Sequence, residues 1–286
     1  MMTPMFEHLL RLPTGPVDLS ELSTDDTPGF DGSKQESKAA LLALGDNLSD
    51  LQERLFAEGV AGVGPGRSLL LVLQGMDTSG KGGVLRHTVG LVDPQGVRIT
   101  SFKAPTDEEK SQDFLWRIRR GVPLPGFIGV FDRSHYEDVL IARVHKLAPV
   151  DEIERRYRAI NDFEAELLAS GTTIVKCMLH ISAETQRERL LARLDNPAKH
   201  WKFNPADIDE RRRWPEYRTA YELALERTNT EVAPWHVVPS DRKWYRNLAI
   251  GQILHDTLAR MTPEWPAADF DVEEQRGRLL DEAVVT

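Results

Sequence analysis

The stretch from Leu69 to Gly83 constrains this chain more than any other: Leu-Leu-Leu-Val-Leu-Gln-Gly-Met-Asp-Thr-Ser-Gly-Lys-Gly-Gly. An apolar run of strand length, Leu69 to Leu73, leads directly into Gly75-x-x-x-x-Gly80-Lys81, and a helix-compatible stretch, Val84 to Val92, follows. Strand, glycine loop and helix in that order form the setting in which a phosphate-binding loop works. Gly75 and Gly80 let the backbone curl so that successive N–H groups, from Thr78 and Ser79 to Gly82 and Gly83, point into one concavity at the positive end of a helix. Lys81 adds a full positive charge there. The competing reading is an ordinary glycine turn. Most such loops place Ser or Thr after the lysine to ligate Mg²⁺, but this chain has Gly82. A metal then needs another protein ligand, and Asp77 inside the loop is the candidate.

Composition narrows the function class. At 286 residues the chain is long enough to bury a sizeable core, which favours one large α/β domain with appendages. With 41% hydrophobic and 28% charged residues it reads as globular. A net charge of −9 argues against nucleic-acid binding, so any polyanion site must be a local concentration of Lys and Arg. The single cysteine, Cys177, sits in a strand-like run and reads as a small buried hydrophobe. With no disulfide possible within the chain, a reducing cytoplasm is expected. The N-terminus lacks a signal-peptide pattern, and no apolar stretch approaches about 18 residues, so no membrane association is expected.

Taken in order, residues 1–33 read as an arm over the domain or a neighbouring subunit, and 34–265 as the main domain. Leu41, Leu42, Leu48, Leu51, Leu55 and Phe56 predict an amphipathic helix between Ser37 and Glu58. Val97 to Phe102 reads as a second strand ending at Lys103. A helix then opens at a Thr106–Glu109 capping box and runs to Arg117, Arg119 and Arg120. Those arginines complement a helix dipole or contact a polyanion. Phe127 to Phe131 is the third strand, and it delivers Asp132-Arg133-Ser134 to the edge where open parallel sheets bind ligands. An acidic residue there, downstream of a P-loop, is the Walker B arrangement for Mg²⁺; capping the next helix is the alternative. Helices are expected over Tyr136–Lys146 and Val150–Ser170, and strands over Thr173–Leu179 and Trp235–Val238. Between those strands lies an insertion, about 182–233, in lid position. Its Arg189 and Arg193 share one helical face, either solvated or clamping phosphate. A last helix, Asp241–Met261, precedes an acidic tail, 266–286.

Several of these segments together resemble the polyphosphate kinase 2 family: Gly75 to Gly83, Ser101-Phe-Lys-Ala-Pro-Thr106, Phe131-Asp-Arg-Ser-His-Tyr-Glu137 and Arg193-Leu-Asp-Asn-Pro-Ala-Lys-His-Trp-Lys202. The similarity continues through Trp214-Pro-Glu-Tyr217, Ala233-Pro-Trp235 and Asp241-Arg-Lys-Trp244. The His135-Tyr-Glu-Asp-Val-Leu140 continuation resembles the subgroup acting on both nucleoside mono- and diphosphates. The resemblance implies a P-loop kinase-like three-layer αβα sandwich with a five-stranded parallel sheet and a helical lid. It also implies Mg²⁺ dependence, with Mn²⁺ as an alternative, and phosphoryl transfer between inorganic polyphosphate and nucleotides by a homo-oligomer, a dimer or tetramer. Asp77 and Asp132 match the family's two essential aspartates, Lys81 its Walker lysine and Arg133 the basic residue after the second aspartate. Lys103, Arg189 and Arg193 match positions along its phosphate path. Members of the subgroup often carry an acidic residue where Gly82 stands.

Chemically this set suffices. Phosphoryl transfer needs in-line positioning and relief of negative charge, which Lys81, Arg133 and the loop amides supply, with two carboxylates to hold the metal. Glu137 either orders metal-bound water, contacts the acceptor or caps a helix. A phosphohistidine at His135 is disfavoured, because no second histidine stands at helical spacing to relay a proton. Two rivals are an ATP-dependent kinase of a small metabolite and a slow nucleotide-binding regulatory module. Gly82 after Lys81 and the basic insertion count against the first, and the lack of an Asn-Lys-x-Asp sequence counts against a guanine-nucleotide switch.

Overall fold

The computed structural model describes residues 5–282. Its five strands are β1 (Ser68–Gln74), β2 (Val97–Ser101), β3 (Ile128–Asp132), β4 (Thr172–His180) and β5 (Trp235–Pro239). All pair in parallel, in the order β2-β3-β1-β4-β5. Every strand falls within one residue of its expected bounds at each end. Helices α1 (Met5–Leu10) and α2 (Lys34–Ala61) precede β1, and α3 (Lys81–His87) follows the glycine loop. The short helices α4 (Asp107–Lys110) and α5 (Trp116–Arg119) follow β2; α6 (Glu137–Val144) and α7 (Val150–Ala169) connect β3 to β4. Three helices, α8 (Ala183–Leu194), α9 (Ala206–Arg212) and α10 (Trp214–Thr228), make up the insertion before β5. Then α11 (Lys243–Met261) and α12 (Val272–Asp281) close the described chain.

The central strand is apolar throughout because both of its faces are covered. Leu69, Leu71 and Leu73 face one layer, packing with Leu48 of α2, Val84 of α3 and Leu248 of α11. Leu70 and Val72 face the other, with Val139 of α6, Ile160 of α7 and Ala224 of α10. All five strand residues are 0% exposed, each worth roughly 1.5–3 kcal/mol of apolar burial. The crossover from β1 leads toward β2 and that from β3 toward β4, in opposite directions. Right-handed connections therefore carry α3 and α6 to opposite faces, and the loops after β1 and β3 part above the sheet. The paired register Leu73↔Asp132 places the glycine loop beside Asp132-Arg133 in that crevice.

Two expected helices change, and the alternatives left open for the arginines and the arm are decided by their contacts. The helix expected from Thr106 to Arg120 is two separate turns. Thr106 and Glu109 form the anticipated capping box, but Asp113 then caps a new turn through its Oδ1 and its carbonyl, breaking the run. Two of the arginines there are spent on carboxylates, while Arg120 packs on the Trp116 ring. Arg117 pairs with Asp138 (3.3 Å), and Arg119 makes a two-pronged bond to Glu166 (2.7 and 2.8 Å). The helix after the loop begins at Lys81 and ends at His87, a 3₁₀ turn over Val89–Leu91 replacing its expected end. The N-terminal arm lies over its own domain: Leu12 N donates to the Trp235 carbonyl (2.8 Å), and Leu12 and Leu19 are buried in the core. Among the described residues, no helix is long and apolar enough to cross a membrane.

Candidate functional site

The glycine loop is held open by close packing rather than by its own turns. Gly75 takes φ 151°, Thr78 63° and Gly80 111°, conformations that side chains with a Cβ rarely adopt. A Cβ on Gly75 would stand 2.7 Å from the Leu179 carbonyl of β4, and one on Gly80 or Gly83 would run into the Arg246 guanidinium. Arg246 enters from α11, 2% exposed, and donates to the Ser79 carbonyl (3.0 Å) while Asn247 Oδ1 accepts from its Nη2 (2.8 Å). Burial, aided by Arg189, pushes its pKa down to about 9. Arg189 of α8 grips the same loop, donating to Thr78 O (2.8 Å), Ser79 O (3.1 Å), Ser240 O (2.6 Å) and Asp241 O (3.0 Å). Gln186 of the same helix donates to the Asp77 carbonyl (3.1 Å). With its carbonyls bound from behind, the loop turns its amides outward. Those of Asp77, Thr78, Gly80, Lys81 and Gly82 have no hydrogen-bond partner among the described residues. The buried hydroxyls of Thr78 and Ser79 also lack partners.

Lys81 opens α3 and folds back, its Nζ donating to the Gly75 carbonyl (2.8 Å). Burial lowers its pKa, opposed by the negative charges of Asp77, Glu137 and Asp132. Arg133 follows β3 with φ 64° and reaches Asp77 Oδ1 at 3.4 Å, both side chains partly open to solvent. Burial works against the Arg133 charge, but Glu137, Asp77 and Asp132 outweigh it and hold its pKa above the ordinary value. Glu137, at the start of α6, has its pKa raised by burial despite Arg133 and Lys81 nearby. Gln74, the last residue of β1, ties these parts together. With its amide oriented to satisfy both ends, it accepts from Ser134 N (3.2 Å) and donates to Glu137 Oε1 (3.1 Å).

Among the expected site residues, Gly75, Asp77, Lys81, Arg133 and Glu137 line one cavity, with Asp132 at the end of β3 and Thr78, Gly80 and Gly82 in the adjoining loop; Ser79 and Gly83, by contrast, spend their amides on the Met76 and Gly80 carbonyls (3.0 and 2.8 Å). That cavity, of about 60 Å³, is walled by Leu140 of α6 and by Trp214, Tyr217 and Tyr221 of α10. Burial, then Glu137 and Asp77, raises the Tyr221 pKa well above the ordinary phenol. Lys103 lies elsewhere, on a hollow of about 450 Å³ at the edge of β2 shared with Arg98, Trp116 and Arg120. Arg189 reaches the loop but spends its donors on carbonyls, and Arg193 turns into the insertion, 3.6 Å from Asp207. Gly82 is unconstrained: a Cβ there would meet nothing within 4 Å. His135 is 1% exposed and paired with Glu164, out of reach of a substrate phosphate.

Gln74, Gln186, Arg246 and Tyr221 escaped the sequence reading. A polar residue ending an otherwise apolar buried strand was a usable signal for Gln74. A lone arginine among Tyr245, Leu248, Ala249 and Ile250 was one for Arg246.

Phosphotransfer loops of this kind generally work with a divalent metal. Among the described residues, no group of three or more His, Cys, Asp or Glu gathers as a metal cage. The donor set still suits a hard cation: Asp77 and Glu137 line the cavity, Asp132 ends β3 beside the glycine loop, and the Thr78 and Ser79 hydroxyls are unpartnered. Hard cations of the Mg²⁺ type take one or two carboxylates and complete their shell with water and substrate oxygens.

The model of the polyphosphate kinase 2 family matches residues 31–266. An AMP/ADP-polyphosphate phosphotransferase of Meiothermus ruber is 46% identical over 262 residues, 92% of this chain and 96% of that protein. An ADP-polyphosphate phosphotransferase of Rhodopseudomonas palustris is 41% identical, over 87% of this chain and 88% of that protein. The crystal structure of polyphosphate kinase 2 from Arthrobacter aurescens is 53% identical and superposes with a TM-score of 0.93, covering 97% of each chain.

Proposed function

The chain belongs to the polyphosphate kinase 2 family, and we propose that it moves the terminal phosphoryl group between inorganic polyphosphate and nucleoside mono- and diphosphates, AMP and ADP foremost and GMP and GDP with them. The observation that carries this reading is the meeting of Lys81, Arg133 and Asp77 at the ends of β1 and β3, in a chain closely similar to an AMP/ADP-polyphosphate phosphotransferase.

The outward amides of the glycine loop and Lys81 hold a phosphate run in place, and Arg133, across the crevice, meets the negative charge that spreads over the transferring group. Asp77 and Asp132 would hold Mg²⁺, with Mn²⁺ as a substitute, and that ion would neutralise charge on the donor and acceptor oxygens. An acceptor phosphate is already an anionic nucleophile and needs no strong base. Glu137, fixed by Gln74, orders water or the acceptor beside Arg133. Tyr217, Tyr221 and Trp214 give the cavity an aromatic wall suited to a nucleoside, and the insertion 182–233 acts as the lid over it. Arg189 and Arg246 serve by shaping the loop, Arg193 by pairing with Asp207 within the insertion, and Lys103 belongs to the outer path of the polymer. We extend the reading to a cytoplasmic homo-oligomer, a dimer or tetramer, which sedimentation of the purified protein tests.

The direct experiment incubates the protein with Mg²⁺, polyphosphate and each of AMP, ADP, GMP and GDP, and resolves the products by chromatography. Formation of the next higher phosphate from the adenine nucleotides is expected. No product from any acceptor, with turnover of ATP and a small metabolite instead, would replace the reading by that of a metabolite kinase.

A further inference from the structure

Beneath the crevice lies a set of polar groups, sealed from water, that phosphoryl transfer does not itself use. Lys176 of β4 is 0% exposed, Glu164 of α7 2%, Tyr136 0% and His135 1%. The three ammonium donors of Lys176 go to Glu164 Oε2 (2.6 Å), the Tyr136 hydroxyl (3.1 Å) and the Thr228 carbonyl (2.7 Å). The Tyr136 hydroxyl donates a hydrogen bond to Glu164 Oε1 (2.7 Å), and His135 Nε2 stands 3.4 Å from the same oxygen. The Lys176 ammonium also lies over the Trp235 ring at 5.0 Å.

Stability alone gives little reason for this cluster. Burying two charges costs more than filling the same space with apolar side chains of similar volume, and Ile160, Phe163 and Val139 around it show that the core here is otherwise apolar. What the cluster does is join four elements. His135 and Tyr136 follow Arg133 by two and three residues, Glu164 comes from α7 and Lys176 from the strand beside β1. Thr228 is the foot of α10, whose upper part presents Trp214, Tyr217 and Tyr221 to the cavity. Arg133 sits in a left-handed conformation that a side chain resists, so it holds its place only if both flanks are tied. The β3 ladder ties the upstream flank, while Gln74 and this cluster tie the downstream one.

We propose that Lys176, Glu164 and Tyr136 form a positioning element: they set Arg133 and Glu137 against the glycine loop and anchor the foot of α10 to the same point, so that the arginine and the aromatic wall keep one geometry. The proposal rests on the role of Arg133 given above.

The test is a pair of variants assayed for turnover with polyphosphate and ADP and for thermal midpoint. Glu164→Gln with Lys176→Met removes both charges at nearly constant volume, and Tyr136→Phe deletes one oxygen and leaves the ring. Ile160→Val, buried in the same layer, serves as the packing control. Both cluster variants are expected to lower kcat between about ten- and a hundredfold. KM for ADP and polyphosphate should stay within about threefold of the parent, as for a group acting through the transition state. The control should keep kcat even at matched loss of stability. Folded cluster variants with parental kcat would overturn the proposal, as would kcat losses equal to the control's at matched stability. If the double variant does not fold, Tyr136→Phe decides. If neither folds, the cluster is a folding requirement and the positioning role is wrong. Arg133→Ala runs alongside: an active Arg133→Ala removes the premise, whereas an inactive Arg133→Ala beside active cluster variants removes only this inference.

Discussion

Two glycines of one loop, Gly80 and Gly82, should respond to the same added methyl group in opposite ways. At Gly80 an alanine must hold φ near 111°. The left-handed backbone costs an L residue roughly 1–2 kcal/mol. Its Cβ would also collide with the Arg246 guanidinium, which is 2% exposed and bound to Ser79 O and Asn247, leaving it no room to withdraw. Overpacking of this kind costs about 1–3 kcal/mol more. Gly80→Ala should therefore lose about 2–5 kcal/mol of stability. It should also lose turnover by at least about tenfold, because the loop amides move with Ser79. At Gly82 the backbone is already helical, the new Cβ meets nothing within 4 Å, and alanine in place of glycine should gain about 0.5–1 kcal/mol. Urea unfolding of the three proteins, followed by circular dichroism, reads the difference directly. Equal loss in both variants, or a Gly80→Ala protein as stable as the parent, would refute the claim that Arg246 packing shapes this loop.

Other expectations follow from the same geometry. Lys81→Ala and Arg133→Ala should each cut turnover by about two to three orders of magnitude while leaving the fold intact, since each removes fixed charge from the crevice; near-parental turnover in a polyphosphate and ADP assay would discard that residue's role. Asp77→Asn and Asp132→Asn should raise the Mg²⁺ concentration needed for half-maximal activity, and an unchanged requirement in both would exclude them as the metal's carboxylates. Because Arg189 donates to loop and β5-end carbonyls, Arg189→Gln should depress turnover with short and long polyphosphate alike. A loss confined to long polymer would give it the phosphate-clamping role instead. Burial raises the Glu137 pKa above its ordinary 4.5, so the folded state binds this proton more tightly than the unfolded state does. The resulting stabilisation is complete at pH below the ordinary value and is lost as pH rises through the folded-state value. Glu137→Gln, unable to ionise, should be more stable than the parent at neutral pH without ligand, and the difference should vanish in acid. Parallel pH-stability curves would show that Glu137 is solvated.

How far the sequence reaches is set by the range of the forces involved. Leu69 to Leu73, the Gly75 to Lys81 spacing and the acidic end of the third apolar run each declare themselves within a few residues, because strand burial, left-handed backbone and phosphate contact are local demands. From them came the parallel sheet, the crevice at its edge and the candidates Asp77, Lys81, Asp132 and Arg133, and the ordered motifs added the family. Tertiary structure alone decided what each cation does. Arg117, Arg119, Arg189 and Arg193 look alike in a sequence, yet one pairs with Asp138, one with Glu166, one holds four carbonyls and one faces Asp207. An arginine's partner is whichever oxygen the fold brings within about 3 Å, and that depends on elements far away in the chain. The same holds for Arg246 behind Gly80, which lies 167 residues from the Ser79 carbonyl it binds, and for Lys176, whose oxygens come from Tyr136, Glu164 and Thr228. A glycine pattern announces that a loop must curl; only packing in three dimensions shows that a buried guanidinium is what makes it do so.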